Sequence, residues 1–499
     1  MPFSYISTLV TFPFITGVFI LFFPITPLHS KRISLLVTIV CFYLSILIWV
    51  LFDYSNDTFQ FVETFSWYPS SNVILSFGID GISLMFILLT AFLMPICLLS
   101  SWSSIKKKNN FFAEHHFFAL FLILESFIFV VFSSLDLIVF YSFFEAVLMP
   151  MFLIIGIWGS RERKIRAAYL FFIYTLFGSL LMLLGILFIY LECGSTHYII
   201  LVENSFSPEK QKYLWLAFFF SFAVKVPIFP VHLWLPEAHV EAPTAGSVLL
   251  AGILLKLGTY GIIRYSLPLF PLASVFFRPF VFALGSVAII YTSITAIRQS
   301  DIKRVIAYAS VAHINITVLG LFSFNLVGFE GAIFQMLSHG VVSGALFLCV
   351  GVLYDRHHSR LIKYYGGLVH TIPLFITLFL FFTIANIALP GTSSFVGEFL
   401  ILFGTFYANS FTAFAAGSSI VLSSAYSLWL FNRLSYGNVK SQFINISFDI
   451  TKREFYCFFP LVFLTLVGGI YPNIFLKSLH SCSAGLLCSF ILSNDFNLY

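Results

Sequence analysis

Apolar runs long enough to cross a bilayer recur along this chain, and they leave few folds open. A spanning helix needs about 20 apolar residues, because hydrocarbon offers its backbone no hydrogen-bond partners. By that measure fourteen runs stand out. They lie at 2–24, 33–52, 82–100, 116–134, 137–157, 167–191, 213–235, 245–265, 275–297, 304–323, 330–354, 372–405, 411–433 and 456–476. Only 9% of residues are charged, whereas a soluble domain carries about 25%. The expected fold class is an all-α polytopic membrane protein with about 14 transmembrane helices. Residues 1–28 lack a basic leading segment and read as the first span rather than a cleaved signal.

Charge placement tests the count. With the N-terminus on one face, side A, the opposite side B gathers 19 Lys/Arg in loops such as HSKR, SSIKKK, RERKIR, RQSDIKR and DRHHSRLIK. Side A holds five, and two lie within spans. Basic loops stay on the cytoplasmic or matrix side, so both termini are expected on the outer side. The basic clusters are orientation signals and candidate phospholipid contacts. The tail from His480 is weakly apolar and suited to lying along the membrane surface.

Two spans look broken. The seventh reads KVPIFPVHLWLPEAH, with Pro227, Pro230 and Pro236, and the twelfth contains ALPGTSSF. Proline removes an amide hydrogen and clashes with the preceding turn. Backbone freed at membrane depth must face a cavity or be satisfied by neighbours, and paired broken spans point to transporter repeats. The breaks are the fourth members of two five-span units. Five is odd, so the second unit is expected to be inverted. The implied divisions are 1–110 (spans 1–3), 111–266 (first repeat), 267–436 (second repeat) and 437–499 (span 14 and tail).

Glu145, Lys225, Lys256 and Glu398 each sit inside a long apolar run. A charge at the bilayer centre costs about 2.5–3.5 kcal/mol on insertion scales. Such residues persist where they face protein or water, commonly to move charge. Desolvation lowers a lysine's proton affinity and a neighbouring carboxylate raises it. Changing the acid therefore switches the lysine between holding and releasing its proton. A structural buried ion pair is the alternative for each. His232, His313 and His339 lie within spans and are candidate proton relays. Glu125 is a further candidate buried acid. Asp80 suits capping the third span, and His239 falls near the side B end of its motif.

Seven scattered cysteines without a CxxC pair, and no nucleotide-binding loop, argue against an iron–sulfur centre, a zinc site or nucleotide hydrolysis. No dense basic and aromatic surface marks a nucleic-acid partner. The 66 phenylalanines, encoded by T-rich triplets, point to an AT-rich genome such as an organelle's.

Residues 225–264, KVPIFPVHLWLPEAHVEAPTAGSVLLAGILLKLGTYGIIR, resemble the proton-channel family shared by respiratory complex I and cation/proton antiporters. DIKRVIAYASVAHIN, GAIFQMLSHG and LPGTSSFVGEFLILFG resemble it too. The resemblance implies fourteen helices, two inverted five-helix repeats and a central axis of buried charges. It makes Glu145 the acid paired with Lys225, Lys256 the central lysine, Glu398 the terminal acid, and His232, His313 and His339 relays. An acid at 398 separates one branch of the family from branches with lysine there. The resemblance further implies a proton-translocating membrane-arm subunit of the mitochondrial inner membrane, beside other antiporter-like subunits. Flavin, iron–sulfur clusters and ubiquinone would be carried by other subunits, with no cofactor in this chain. A sodium/proton antiporter subunit is the alternative of the same fold. A structural subunit whose charges only hold helices together is a third.

Overall fold

The computed structural model describes residues 4–23, 26–68, 73–105, 114–204, 206–440 and 448–495. The basic triplet Lys106–Lys108, residues 441–447 and the end of the tail lie outside the described residues. The chain is mostly helical. Helices α1 (Tyr5–Phe22), α2 (Pro27–Leu51), α3 (Gly81–Ser100) and α4 (Glu114–Ser133) come first, then α5 (Leu137–Ala146) and α6 (Leu148–Trp158) end to end. They are followed by α7 (Lys164–Cys193), α8 (Tyr198–Glu203), α9 (Pro208–Lys225), α10 (Trp234–Glu241), α11 (Thr244–Leu249), α12 (Leu255–Gly261) and α13 (Leu267–Leu269). The remainder are α14 (Pro271–Ile297), α15 (Ile302–Leu321), α16 (Leu326–His357), α17 (Leu368–Thr371), α18 (Pro373–Asn386), α19 (Ser393–Ala408), α20 (Ser410–Ser435), α21 (Lys452–Ile470) and α22 (Asn473–Asp495).

Among the described residues twelve helices are long and apolar enough to cross a membrane, counting α5–α6 as one and α11–α13 as one. The two proline-marked runs are the interrupted ones. The seventh ends α9 at Lys225 and resumes as α10, and the twelfth is split into α18 and α19. Freed backbone at the first break is largely satisfied locally: Ile228 N donates to Ala223 O (2.9 Å) and Trp234 Nε1 to Val224 O (2.9 Å). At the second break, Thr392 Oγ1 donates to Leu389 O (2.8 Å), and Gly391 adopts φ +94°, a conformation that glycine enters without steric cost.

Short polar residues set the helix starts. Asp80, Asp136, Asp301 and Asn325 each accept a backbone amide at the head of α3, α5, α15 and α16. The α11–α13 helix is buried along its whole apolar length, and α15 and α16 nearly so, whereas α7 and α14 turn apolar side chains outward as lipid-facing helices do.

One element departs from the all-helical expectation. The acid-bearing segment before α3 forms an antiparallel hairpin, β1 (Gln60–Tyr68) with β2 (Val73–Ile79), pairing Gln60 with Ile79 and Phe65 with Leu75. It rests on the α4–α5 junction, where Leu135 N donates to Ser76 O (2.9 Å). The tail is a helix, α22, lying against the side A starts of α3 and α16. Gly81 N approaches Cys482 Sγ at 3.2 Å, and His480 Nδ1 approaches Glu330 Oε1 at 2.7 Å.

Candidate functional site: a buried charged axis

The first half of the site joins α5 to the end of α9. Asp136 anchors α5 by accepting Ile138 N (2.9 Å) and the Thr196 hydroxyl (2.8 Å), which fixes the helix carrying Glu145. Glu145 is partly buried, and neither carboxylate oxygen has a hydrogen-bond partner. Lys225, 4% exposed, donates to the Phe144 carbonyl (2.7 Å) and lies 3.5 Å from the centroid of the Phe144 ring. Glu145 and Lys225 act on each other electrostatically. Among the described residues they form no direct ion pair. The lysine rests on the backbone carbonyl of Phe144, the residue next to the acid, rather than on the carboxylate itself.

Lys256 begins the second half. It is fully buried between two π-helical turns, Leu250–Leu254 and Ile262–Ser266. Such turns displace the backbone register and recur at functional sites. Its ammonium donates to the Ala251 carbonyl and meets His339 Nδ1 at 2.9 Å. Small residues let this helix come close. Gly252 of this helix faces Gly340 of α16, and a Cβ on Gly340 would stand 2.9 Å from the Gly252 carbonyl.

From His339 the series continues to the imidazole of His313, 5.9 Å away between ring centroids. His313 Nδ1 lies 2.8 Å from Glu398 Oε1, and Gln335 Nε2 donates to the same oxygen at 3.1 Å. Ser338 Oγ donates to Gln335 Oε1 (2.9 Å), which fixes the amide, and Tyr426 OH approaches His313 Nε2 at 3.5 Å. Lys256, His339, His313 and Glu398 thus form one series of buried titratable groups. Rotation of an imidazole can pass a proton between neighbours in such a series.

Two sequence candidates stand apart from it. His232 is buried in the first break but packs against aromatic rings, Phe229 at 5.7 Å and Tyr291 at 5.8 Å between centroids. His239 stacks on Phe347 (4.6 Å, 6° between planes). Glu125 is fully buried, and neither of its carboxylate oxygens has a hydrogen-bond partner. Asp80 caps α3 and also pairs with buried Arg264 (2.5 Å), whose guanidinium lies 4.9 Å from the Phe59 ring centroid.

The side B loop RQSDIKR includes Lys303, and the structure corrects its placement in that loop. It is 2% exposed and points inward, donating to Ala242 O (2.9 Å), Ser247 Oγ (3.1 Å) and His239 O (3.4 Å). Arg360 donates to Val240 O and to Ser160 Oγ (2.9 Å). Two cations therefore satisfy the terminal carbonyls of α10, where the helix dipole is negative. The signal available in sequence was slight: a lysine two residues after a helix-capping aspartate.

A fold with two interrupted helices around a line of buried charge defines a class of ion-translocating membrane subunits, and the comparisons agree. Residues 134–423 match the family described as NADH:quinone oxidoreductase/Mrp antiporter, TM. The chain belongs to that family. It is 53% identical over 486 residues to NADH-ubiquinone oxidoreductase chain 4 of Marchantia polymorpha, covering 97% of each chain. NADH-quinone oxidoreductase subunit M of Rhodobacter capsulatus is 48% identical over 464 residues, 90% of this chain and 89% of that one. A chain of respiratory complex I from Thermus thermophilus superimposes with a TM-score of 0.87 at 28% identity, covering 97% of this chain and 99% of that one. A chain of the Mrp complex from Dietzia gives the same TM-score at 18% identity, covering 98% of each, which shows a shared fold.

Proposed function

We propose that this chain is an antiporter-like, chain-4-type proton-translocating subunit of respiratory complex I. One observation carries the reading: Lys256, His339, His313 and Glu398 are brought into one buried series in a member of this family. NADH oxidation by ubiquinone occurs in other subunits, which hold the flavin, the iron–sulfur clusters and the quinone. This chain supplies the proton path.

In the mechanism, approach of Lys225 to Glu145 stabilises the ammonium, and withdrawal to the Phe144 carbonyl weakens that stabilisation. The altered field acts on Lys256, which passes its proton to His339. His339 and His313 relay it to Glu398, whose carboxylate Gln335 and Ser338 hold in place. Neighbouring membrane-arm subunits deliver the coupling signal and flank the chain. The fourteen crossings form two inverted five-helix repeats within 111–266 and 267–436. Both termini face the intermembrane space of the mitochondrial inner membrane, as the basic side B loops favour.

The testing experiment is a native gel of mildly solubilised source membranes, probed for this chain and stained for NADH dehydrogenase activity. The proposal expects the chain in a large NADH-active band. Its presence only in a smaller, NADH-inert assembly would favour a sodium/proton antiporter, the second reading that the Mrp likeness keeps open.

A further inference from the structure

Between α2, α3, α16 and α21 lies an apolar cavity of about 380 Å³ that the proton path does not use. Trp49, Phe92, Phe334 and Phe475 supply rings to its wall, and among the described residues no Asp, Glu, Lys, Arg or His lines it. Its inner wall is buried, at Ser338 of α16 and at Ser393 where α19 begins, whereas Trp49 of α2 is half-buried and Phe463 of α21 is exposed. The cavity therefore closes against the charged axis and opens outward between α2 and α21, toward hydrocarbon. Gly468 keeps the inner end open, since a Cβ there would stand 2.9 Å from Ser393 Cβ. Two polar atoms on this wall are orphaned. Ser393, 4% exposed, has no hydrogen-bond partner for its Oγ among the described residues, and neither has the buried Nε1 of Trp49. A buried donor left unpaired costs stability, which an acceptor on a ligand would recover.

We propose that this cavity binds an uncharged, ring-bearing lipophile that offers a hydrogen-bond acceptor at each end. The uncharged wall disfavours ionised ligands, because burying an unpaired charge is expensive. Its volume falls in the range of small-molecule sites, about 300–1,000 Å³, which are mostly apolar with a few placed polar groups. The rings suit flat partners. Trp49 and Phe475 lie nearly parallel, 11° between planes and 6.5 Å between centroids, and Phe334 stands edge-on to Phe475 at 6.2 Å. The orphaned atoms set the polarity. Trp49 is close to the side A end of α2 and Ser393 is at the second helix break, so acceptors are wanted at a shallow and a deep end. A phospholipid acyl chain reaching inward carries its ester oxygens at the shallow end only and leaves Ser393 unpaired. The occupant also touches Ser338, whose hydroxyl fixes the Gln335 amide (2.9 Å) that holds Glu398 (3.1 Å). Filling the cavity thereby disturbs the terminal acid. That consequence rests on the proton-path reading above, whereas the binding does not.

The test uses the assembled complex in phosphatidylcholine vesicles, with para-methoxybenzophenone as the photoreactive probe. It is uncharged, has two rings, and carries a carbonyl and an ether oxygen as acceptors. Irradiation is expected to label peptides that contain residues 42–49 and 460–475. The unreactive analogue para-methoxyphenyl benzoate should displace the label, and bicyclohexyl, which has no acceptor, should not. S393A and W49F should each weaken labelling about fivefold, the effect of one neutral hydrogen bond. Both variants should assemble, because neither atom has a partner to lose. Protons pumped per electron should fall over the same concentrations that label the cavity, and S393A should shift both curves together. Absence of label from these peptides would overturn the proposal, and would mark the cavity as covered by a neighbouring subunit. Equal displacement by bicyclohexyl would overturn it too, as would labelling by a photoreactive phosphatidylcholine chain that the benzoate does not displace, the mark of a lipid-filled groove. Labelling with an unchanged proton-to-electron ratio would overturn the link to Glu398. If either variant fails to assemble, the competition on the unaltered complex decides the matter.

Discussion

Gly258→Ala isolates the contact that sets the position of Lys225. A Cβ at 258 would stand 2.7 Å from Val226 Cγ2 and 3.1 Å from both Lys225 Cβ and the Phe222 carbonyl. Carbon atoms rest at about 3.5–4.0 Å, so the end of α9 must retreat by about 1 Å. Overpacking of this kind costs about 1–3 kcal/mol. The retreat carries Lys225 with it and stretches its 2.7 Å bond to the Phe144 carbonyl past about 3.5 Å, where it ceases to be a hydrogen bond. Misplacement by 1 Å can slow a geometry-dependent step by about 100-fold. The assay is dye-reported acidification by inverted membrane vesicles, normalised to NADH oxidised, with complex content read from a native gel. The expected result is assembled complex with depressed pumping. Unchanged pumping in G258A, with its assembly intact, would refute the claim that the lysine's placement matters.

Lys256→Met removes the donor to His339 Nδ1 while keeping the side chain's bulk. Proton transfer into the His339–His313–Glu398 series should then slow by at least about tenfold, the equivalent of 1.4 kcal/mol, as measured by pumping per electron. Asp80→Ala leaves Arg264 buried without its 2.5 Å partner. Breaking a buried pair from one side costs about 3–5 kcal/mol, so the complex should be depleted in thermal-stability and assembly assays, and D80A/R264M should recover part of that loss. Lys303→Met should loosen α10 by freeing the Ala242 carbonyl, seen as faster hydrogen exchange at residues 234–242 without loss of the NADH-active band.

Much of this architecture was legible because its signals are one-dimensional. Run length locates the helices, and the prolines at 227, 230, 236 and 390 mark the two interruptions where α9 and α18 stop. Buried charge also shows in sequence, since Lys225, Lys256, Glu145 and Glu398 interrupt apolar text. The remainder depends on three-dimensional contacts. The two π-helical turns flanking Lys256 arise from helix packing and leave no periodicity to read. The hairpin at 60–79 alternates too briefly to stand out from a polar loop. Gln335, Ser338 and Tyr426 are uncharged and become site residues only by standing beside Glu398 and His313. Lys303 lay in a basic loop by count, and only the fold turns it inward. Histidine inside a span was an ambiguous signal: His313 and His339 join the series, whereas His232 and His239 pack on aromatic rings.

The central claim, proton translocation along this axis, is tested most directly by the proton-to-electron stoichiometry of the assembled complex carrying Glu145→Gln, which removes the charge and keeps the shape. The account predicts a normal amount of NADH-active complex that pumps fewer protons per electron than the unaltered complex. An unchanged stoichiometry in that variant would contradict it.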